Sequence, residues 1–258
     1  MKLSIREKLR SGQATVGSWM QLPNASVAEL MGTAGYDWVA IDLEHGSFAI
    51  ETLPDICRAL ELGGTVPFAR VAQNACKDIK QAIEAGARGI IIPMIESRLQ
   101  MEQAVAWAKY PPTGRRGVGY SRANLFGKLF SETFASINDE LVLVAQIESI
   151  DAIRNLEAIL TVPEVDAMII GPYDLSASMG LTGKFEHPDF IAALDQARET
   201  ALRCKVPMGL HVVQPNPALL AAKMSEGYRF IAYGIDAVFL YNSAVNPHRP
   251  GEAAMAAK

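Results

Sequence analysis

The chain is poor in the residues that most often mark a soft metal or redox centre. It has three cysteines in 258 residues, Cys57, Cys76 and Cys204, with no CxxC spacing. That argues against a zinc ribbon or a disulfide framework, and an odd, scattered set reads as free thiols packed as small hydrophobes. The four histidines, His45, His187, His211 and His248, form no HExxH and no paired spacing, so an imidazole-rich zinc site has little support. A formal charge of −4 and a pI near 5.6 lack the basic footprint of a nucleic-acid binder. No run is apolar and long enough to span a bilayer, and the opening MKLSIREKLRSGQ reads as a polar helical start, not a secretory leader. These absences describe a cytoplasmic protein with neither nucleic-acid nor membrane partners.

What the chain does have is one pattern, repeated. A short β-rich apolar run is followed by a stretch with helical spacing and then by a Gly or Pro break. Eight strands are predicted, at 14–21, 37–44, 66–71, 89–95, 141–148, 165–172, 207–213 and 229–235. Strand then helix, eight times, predicts an α/β fold of the (β/α)8 TIM-barrel type. The whole of residues 1–258 reads as one barrel domain with a loose C-terminal tail from about 247. An open doubly wound sheet is the rival, weakened because no glycine fingerprint follows the first strand. Two segments interrupt the pattern, YPPTGRRGVGYSRANLFG (110–127) and GLTGKFEHP (180–188), and loops of that length tend to carry function or cover a site.

A barrel gathers its chemistry where strands end. The fifth strand, LVLVAQIE, ends at Glu148, and the sixth leads through Gly171 and Pro172 to Asp174. A strand covered on both faces has no inexpensive place for a carboxylate, so such acids should face a cavity, a cation or a substrate. Strand 2 alternates Ala40, Asp42 and Glu44 against Val39, Ile41 and Leu43, which turns the polar set inward with His45 just beyond. Strand 3 points Arg70 the same way, and strand 5 adds Gln146. Each residue also has a plainer reading: Asp174 as a helix N-cap, Glu148 as a first-turn acid, Arg70 as a scaffold partner for these acids, His45 as an exposed turn residue. Their convergence on one face favours a site. Two carboxylates with few other ligands suit a hard divalent ion, Mg²⁺ or Mn²⁺. Every lysine falls in a helix, a loop or a terminus, so a Schiff-base mechanism lacks its strand-end lysine.

The segments GYDWVAIDLEHGSF, IKQAIEAGARGIIIPMIES and YPPTGRRGVG, and above all QIES with IIGPYDLSASMG, resemble the metal-dependent class II pyruvate aldolases. These are the 4-hydroxy-2-oxoheptanedioate and 2-dehydro-3-deoxyglucarate aldolase family. The resemblance runs from about Ser18 to the helix after Asp236. It implies a barrel of the phosphoenolpyruvate/pyruvate superfamily, a homohexamer with a domain-swapped last helix, and reversible cleavage of 4-hydroxy-2-oxo acids to pyruvate and an aldehyde through a metal-bound pyruvate enolate. By the same resemblance Glu148 and Asp174 are metal ligands, with Co²⁺ or Zn²⁺ as alternatives to Mg²⁺ and Mn²⁺. Arg70 is the arginine on the keto oxygen, and His45 with Asp42 is the base and its orienting acid. Gln146, Gly171 and Pro172 belong to the pyruvate pocket, Trp19 stands at its mouth, and Glu84 falls where relatives reach a neighbouring subunit's site with an aspartate. The aldehyde is expected to meet the 115–127 insertion, with Tyr120, Arg122 and Asn124 as candidates. His211 reads equally as a satisfied interior histidine and as a substrate contact. Two rival functions stay open: an oxaloacetate decarboxylase or acyl-CoA lyase on the same barrel, and a non-catalytic barrel that binds a small acid.

Overall fold

The computed structural model of the protein describes residues 4–246. Its eight strands are β1 Thr15–Met20, β2 Trp38–Asp42, β3 Val66–Arg70, β4 Gly89–Ile92, β5 Val142–Ile147, β6 Ala167–Ile170, β7 Met208–Val212 and β8 Phe230–Ile235. They pair in chain order, and β8 pairs with β1, to give a closed parallel barrel. Every strand lies inside its expected interval. The fourth stops early, at Ile92, because Pro93 follows and Met94 turns into the left-handed region at φ 53°.

The period-two alternation divides the aliphatic residues as expected. Val39, Ile41, Ala69, Ile90, Leu143 and Met168 pack against the helices, whereas Ala40, Phe68, Ile91, Val144, Ile169 and Ala232 fill the interior. The interior is plugged by aromatics: Trp38 lies on Phe230 at 4.3 Å and on Phe68 at 5.3 Å. Room for them comes from two glycines. A Cβ on Gly17 would stand 2.1 Å from the Trp38 ring, and one on Gly89 would stand 2.4 Å from Phe68. With its interior filled, the barrel leaves room for a site only beyond the strand ends.

The N-terminal end is closed by the opening helix, Ile5–Arg10, started by a Ser4 and Glu7 capping box. Ile5 and Leu9 enter the interior cluster, so the segment that reads as polar has an apolar side facing the barrel. Arg6 Nε donates to Asp166 at 2.7 Å and Arg6 Nη2 to Glu164 at 2.6 Å, and the buried Lys109 donates to the Leu141 carbonyl at 2.9 Å.

The segment DAVFLYNSAV forms the helix Asp236–Ser243, with Phe239 packed on the core and Leu240 and Tyr241 exposed. The expected loose tail lies outside the described residues. Among the described residues no helix is long and apolar enough to cross a membrane.

The polar end carries a pH signature. Burial, reinforced by the charge of Arg6, pushes the Lys109 ammonium down to about 8 from an ordinary 10.5, against the pull of Asp166 and Glu164. Between those values the unfolded chain holds more protons than the folded one, so stability rises with pH across that window. In urea titrations from pH 8 to 10 the wild type should gain about 1–3 kcal/mol relative to Lys109→Met. Parallel stability curves for the two proteins would remove Lys109 as the cause.

Candidate active site

A cavity of about 400 Å³ opens at the C-terminal ends of the strands. Trp19, His45, Arg70, Gln146, Gly171, Pro172 and Asp174 all line it, as do Gln21, Tyr173 and His211. A larger hollow of about 730 Å³ lies at the opposite end, near Arg10, Lys205 and Arg229. There Arg229 is already committed to the carbonyls of Gly12, Met224 and Tyr228.

The register of the barrel sets the central contact. Asp42 and Arg70 are direct neighbours across β2 and β3, so their side chains emerge side by side from the same face. Arg70 grips Asp42 with two parallel bonds, Nε to Oδ1 at 3.0 Å and Nη2 to Oδ2 at 2.7 Å. Asp42 is fully buried. Burial alone would raise its carboxyl, but Arg70, with Gln21 Nε2 at 3.0 Å, overrides that and holds it below the usual range. The remaining bonds of Asp42 go to the backbone N–H groups of Glu44 and His45, at 3.2 and 3.1 Å. This departs from expectation: Asp42 fixes the turn that carries His45 and does not hold the imidazole itself. The physical reason is the register, which puts a guanidinium directly beside the carboxylate. His45 is exposed at the cavity edge.

Glu44, which shares the inward phase of Asp42 without being among the predicted site residues, also reaches Arg70. Its Oε2 lies 2.9 Å from Arg70 Nη1 but without hydrogen-bond geometry, so a buried carboxylate oxygen is left unsatisfied. Burial raises Glu44, and the charges of Asp42 and Asp174 add to that against Arg70 and His45. Arg70 therefore does have the scaffold role of its plainer reading, though with Asp42 and Glu44 and not with Glu148 or Asp174.

Glu148 is 3% exposed and immediately precedes the helix Ile150–Arg154, whose N-cap is Ser149. It is therefore not a first-turn acid. Its Oε1 accepts from the Met94 N–H at 2.7 Å, and its Oε2 accepts from the Gln146 amide. Met94 makes its bond from the left-handed conformation already noted, a local strain of the kind found at functional sites. Burial raises Glu148, and Glu44 and Asp174 raise it further, against the Gln146 and Met94 bonds. Gly171 is required by sterics: a Cβ there would stand 2.8 Å from Glu148 Oε2. Asp174 is the third residue of the helix Pro172–Ser178, not its N-cap, and is exposed.

Among the described residues no three acidic, imidazole or thiol groups gather closely enough to hold a metal unaided. The donors still fit a hard divalent ion. Glu148 is a carboxylate raised first by burial and further by Glu44 and Asp174; it stands behind the cavity wall, bonded to the lining residue Gln146, and the lining cation Arg70 is held by Asp42 and Glu44. Mg²⁺-type sites commonly use one or two carboxylates and leave the other positions to water and substrate.

Trp19 is an inner wall, not a mouth residue. It is 3% exposed, with the Arg70 guanidinium 5.1 Å above its ring and the His211 ring stacked on it at 5.0 Å. His211 is an interior histidine satisfied at Nε2 and also a cavity residue. It lines the cavity, and its Nε2 pairs with the Gly234 carbonyl at 2.9 Å.

The 115–127 insertion contributes nothing to this cavity in the protomer. It follows the helix Arg98–Ala108, which carries the chain away from the C-terminal end. Arg122 pairs there with Glu61 and bonds the Ala85 carbonyl, and Asn124 is buried capping its own loop. Tyr120 is exposed, edge-on to Phe130. Glu84 sits in the last turn of the helix Cys76–Ala85, 3.7 Å from Lys80, and is likewise outside the cavity.

The fold agrees with the relationships of the chain. The family profile HpcH/HpaI aldolase/citrate lyase matches residues 15–243. A 2-dehydro-3,6-dideoxy-6-sulfogluconate aldolase of Pseudomonas putida is 35% identical over 238 residues, 92% of each chain. A 4-hydroxy-2-oxo-heptane-1,7-dioate aldolase of Salmonella dublin is 34% identical over 95% of this chain and 92% of its own. A crystal structure of an HpcH/HpaI aldolase/citrate lyase family protein from Burkholderia cenocepacia superposes with a TM-score of 0.87 at 30% identity, covering 93% of this chain and 95% of that one.

An ionised Glu148 without a cation is a burden on the fold, because its raised carboxyl disfavours the charged form at neutral pH. Glu148→Gln removes that charge but keeps one of the two acceptors used by Met94 and Gln146, so its metal-free stability should stay within about 1 kcal/mol of the wild type. Excess Mn²⁺ should raise the melting temperature of the wild type and leave that of the variant in place. An equal Mn²⁺ shift in both proteins would remove Glu148 from the ligand set.

Proposed function

The chain belongs to the HpcH/HpaI aldolase/citrate lyase family, and from that membership we propose that it is a divalent-metal-dependent aldolase. It reversibly cleaves 4-hydroxy-2-oxo acids to pyruvate and an aldehyde. The observation that carries the reading is the Asp42-gripped Arg70 fork sharing one cavity with Gln146, Asp174 and the residues that pack on Glu148.

Glu148 and Asp174 are the residues that would hold the ion, Mg²⁺ or Mn²⁺ by donor chemistry. When bound, the ion supplies Lewis-acid polarisation of the 2-oxo acid. Arg70, its orientation set by Asp42 and by the Trp19 ring, places a fixed positive charge beside the keto oxygen, where negative charge develops as the enolate forms. Gln146, tied to Glu148, and Gly171, which lets the backbone approach, shape the same side. His45 is the general base. In cleavage it takes the C4 hydroxyl proton, the C3–C4 pair moves into the C2 carbonyl as an enolate, and the aldehyde departs. Proton return to C3 gives pyruvate, and synthesis runs the same path backwards.

The protein is read as cytoplasmic and as a homo-oligomer, a hexamer by family analogy with the last helix exchanged between subunits. The exposed Leu240 and Tyr241 on that helix, and the exposed Val118, Tyr120 and Phe126 in the insertion, support assembly. In such an assembly Glu84 and the insertion would meet a neighbouring subunit's site.

The decisive measurement is exchange of the pyruvate methyl protons with deuterated water, followed by a screen of aldehydes for new 2-oxo acids. Exchange should need Mn²⁺ or Mg²⁺ and vanish with chelator. Metal-independent behaviour would favour a non-catalytic acid-binding barrel, and CO₂ release from oxaloacetate without aldehyde chemistry would favour a decarboxylase. Arg70→Lys keeps the charge but loses the planar fork. It should cost about 10²–10³ in turnover while the circular dichroism stays that of the wild type, and an undiminished rate would end the role given to Arg70.

A further inference from the structure

One side of the cavity differs in character from the rest. Trp19, Ile169, Val213 and Ile235 make it apolar, and His211 is set among them. A hydrophobe would fill that strand position without burying two ring nitrogens.

The protonation of the ring follows from its partner. A carbonyl only accepts, so the pairing with Gly234 at 2.9 Å places the proton on Nε2. Burial, with the charge of Arg70 and against the Gly234 bond, pushes the imidazole down to about 4. The ring is therefore neutral, and Nδ1 is an acceptor. Nδ1 has no partner among the described residues, and His211 lines the cavity, so that nitrogen is left to accept from a group bound there. The ring has little freedom to turn away. Trp19 stacks on it with 29° between planes, and Gly234 occupies the left-handed region, φ 68°, where the β1–β8 register slips.

We propose that His211 is a specificity-determining residue whose Nδ1 accepts a hydrogen bond from a hydroxyl on or next to the carbons joined by the aldolase. This inference rests on the reading given under Proposed function. A methyl group and an unsubstituted aldehyde carry no donor, so closing the cavity over them would leave Nδ1 unpaired. A hydroxylated substrate removes that penalty. The hydroxyl can come from C3 of a 2-oxo acid or from C2 of an aldehyde, and the shared chemistry is a neutral hydroxyl donor.

The test compares three substrate pairs with the Mn²⁺-loaded enzyme: pyruvate with acetaldehyde, hydroxypyruvate with acetaldehyde, and pyruvate with glycolaldehyde. His211→Phe keeps a ring for Trp19 and removes the acceptor, and His211→Leu is the second such variant should the first fail to fold. In either, the kcat/KM of one hydroxylated pair relative to the plain pair should fall by about 10- to 100-fold. Which pair falls identifies the source of the hydroxyl. His211→Gln, whose amide can donate to Gly234 and turn an oxygen to the cavity, should recover part of the ratio. Ratios within about twofold of wild type, or an equal loss in all three pairs, would overturn the proposal and leave His211 a packing residue. A wild-type enzyme that turned over none of the pairs would instead overturn the aldolase reading on which it rests.

Discussion

The interaction on which the site depends is the two-bonded contact between Asp42 and Arg70. Two fully extended neighbours on adjacent parallel strands share a register, and the barrel sets that register through Trp38, Ala40 and Asp42 opposite Val66, Phe68 and Arg70. The same three rungs carry the aromatic plug below and the ion pair above. A slip of one residue would turn Trp38 and Asp42 outward together, so the packing that fills the barrel and the charge that lines its mouth are specified by one alignment.

Charge is distributed unevenly over the cavity. Asp174 lines it, Asp42, Glu44 and Glu148 lie behind its wall, and Arg70 is the guanidinium among the lining groups, already bonded to Asp42 and close to Glu44. A pair inside a filled barrel gains from the low dielectric around it, while the same dielectric penalises the carboxylates left over. Glu148 and Glu44 are both raised for this reason. The fold thus holds an excess of negative charge around the strand ends, which costs stability in the free protein and favours a cation there. The backbone strain at Met94 is part of the same arrangement, since it supplies the N–H that keeps Glu148 in place.

Most of the fold was legible because a closed parallel barrel writes itself as a period. Each of the eight strands is marked by β-branched residues between Gly and Pro breaks, and inward phase points Arg70 and Gln146 to the cavity and Asp42 to the layer beneath it. Three features were not legible. Whether Asp42 faces the His45 ring or only its backbone depends on cross-strand register, which the alternation of one strand does not contain. Trp19 reads as a mouth residue until its neighbours Arg70 and His211 are seen to enclose it. The 115–127 insertion looks like a substrate loop by length and composition, yet it follows a helix and so begins at the wrong end of the barrel. Loops after helices and loops after strands open on opposite faces, so length and composition do not outweigh position in the chain.

The cavity has two chemically distinct walls, and the division tracks the strands. β2, β3 and β5 contribute or support charged groups, while β1, β7 and β8 contribute Trp19, His211, Val213 and Ile235 at or just beyond their ends. Enolate formation needs the charged wall, where developing negative charge meets Arg70. The other wall touches whatever is attached to the reacting carbons, and there a full charge would be a liability: it would alter the potential felt by Arg70 across the Trp19 ring. A neutral imidazole avoids this. It presents directional hydrogen-bonding capacity without net charge, held in one tautomer by a backbone carbonyl. Catalysis and substrate choice are thus carried on separate strands, with the Trp19 indole lying between the groups that stabilise charge and the group that reads a hydroxyl.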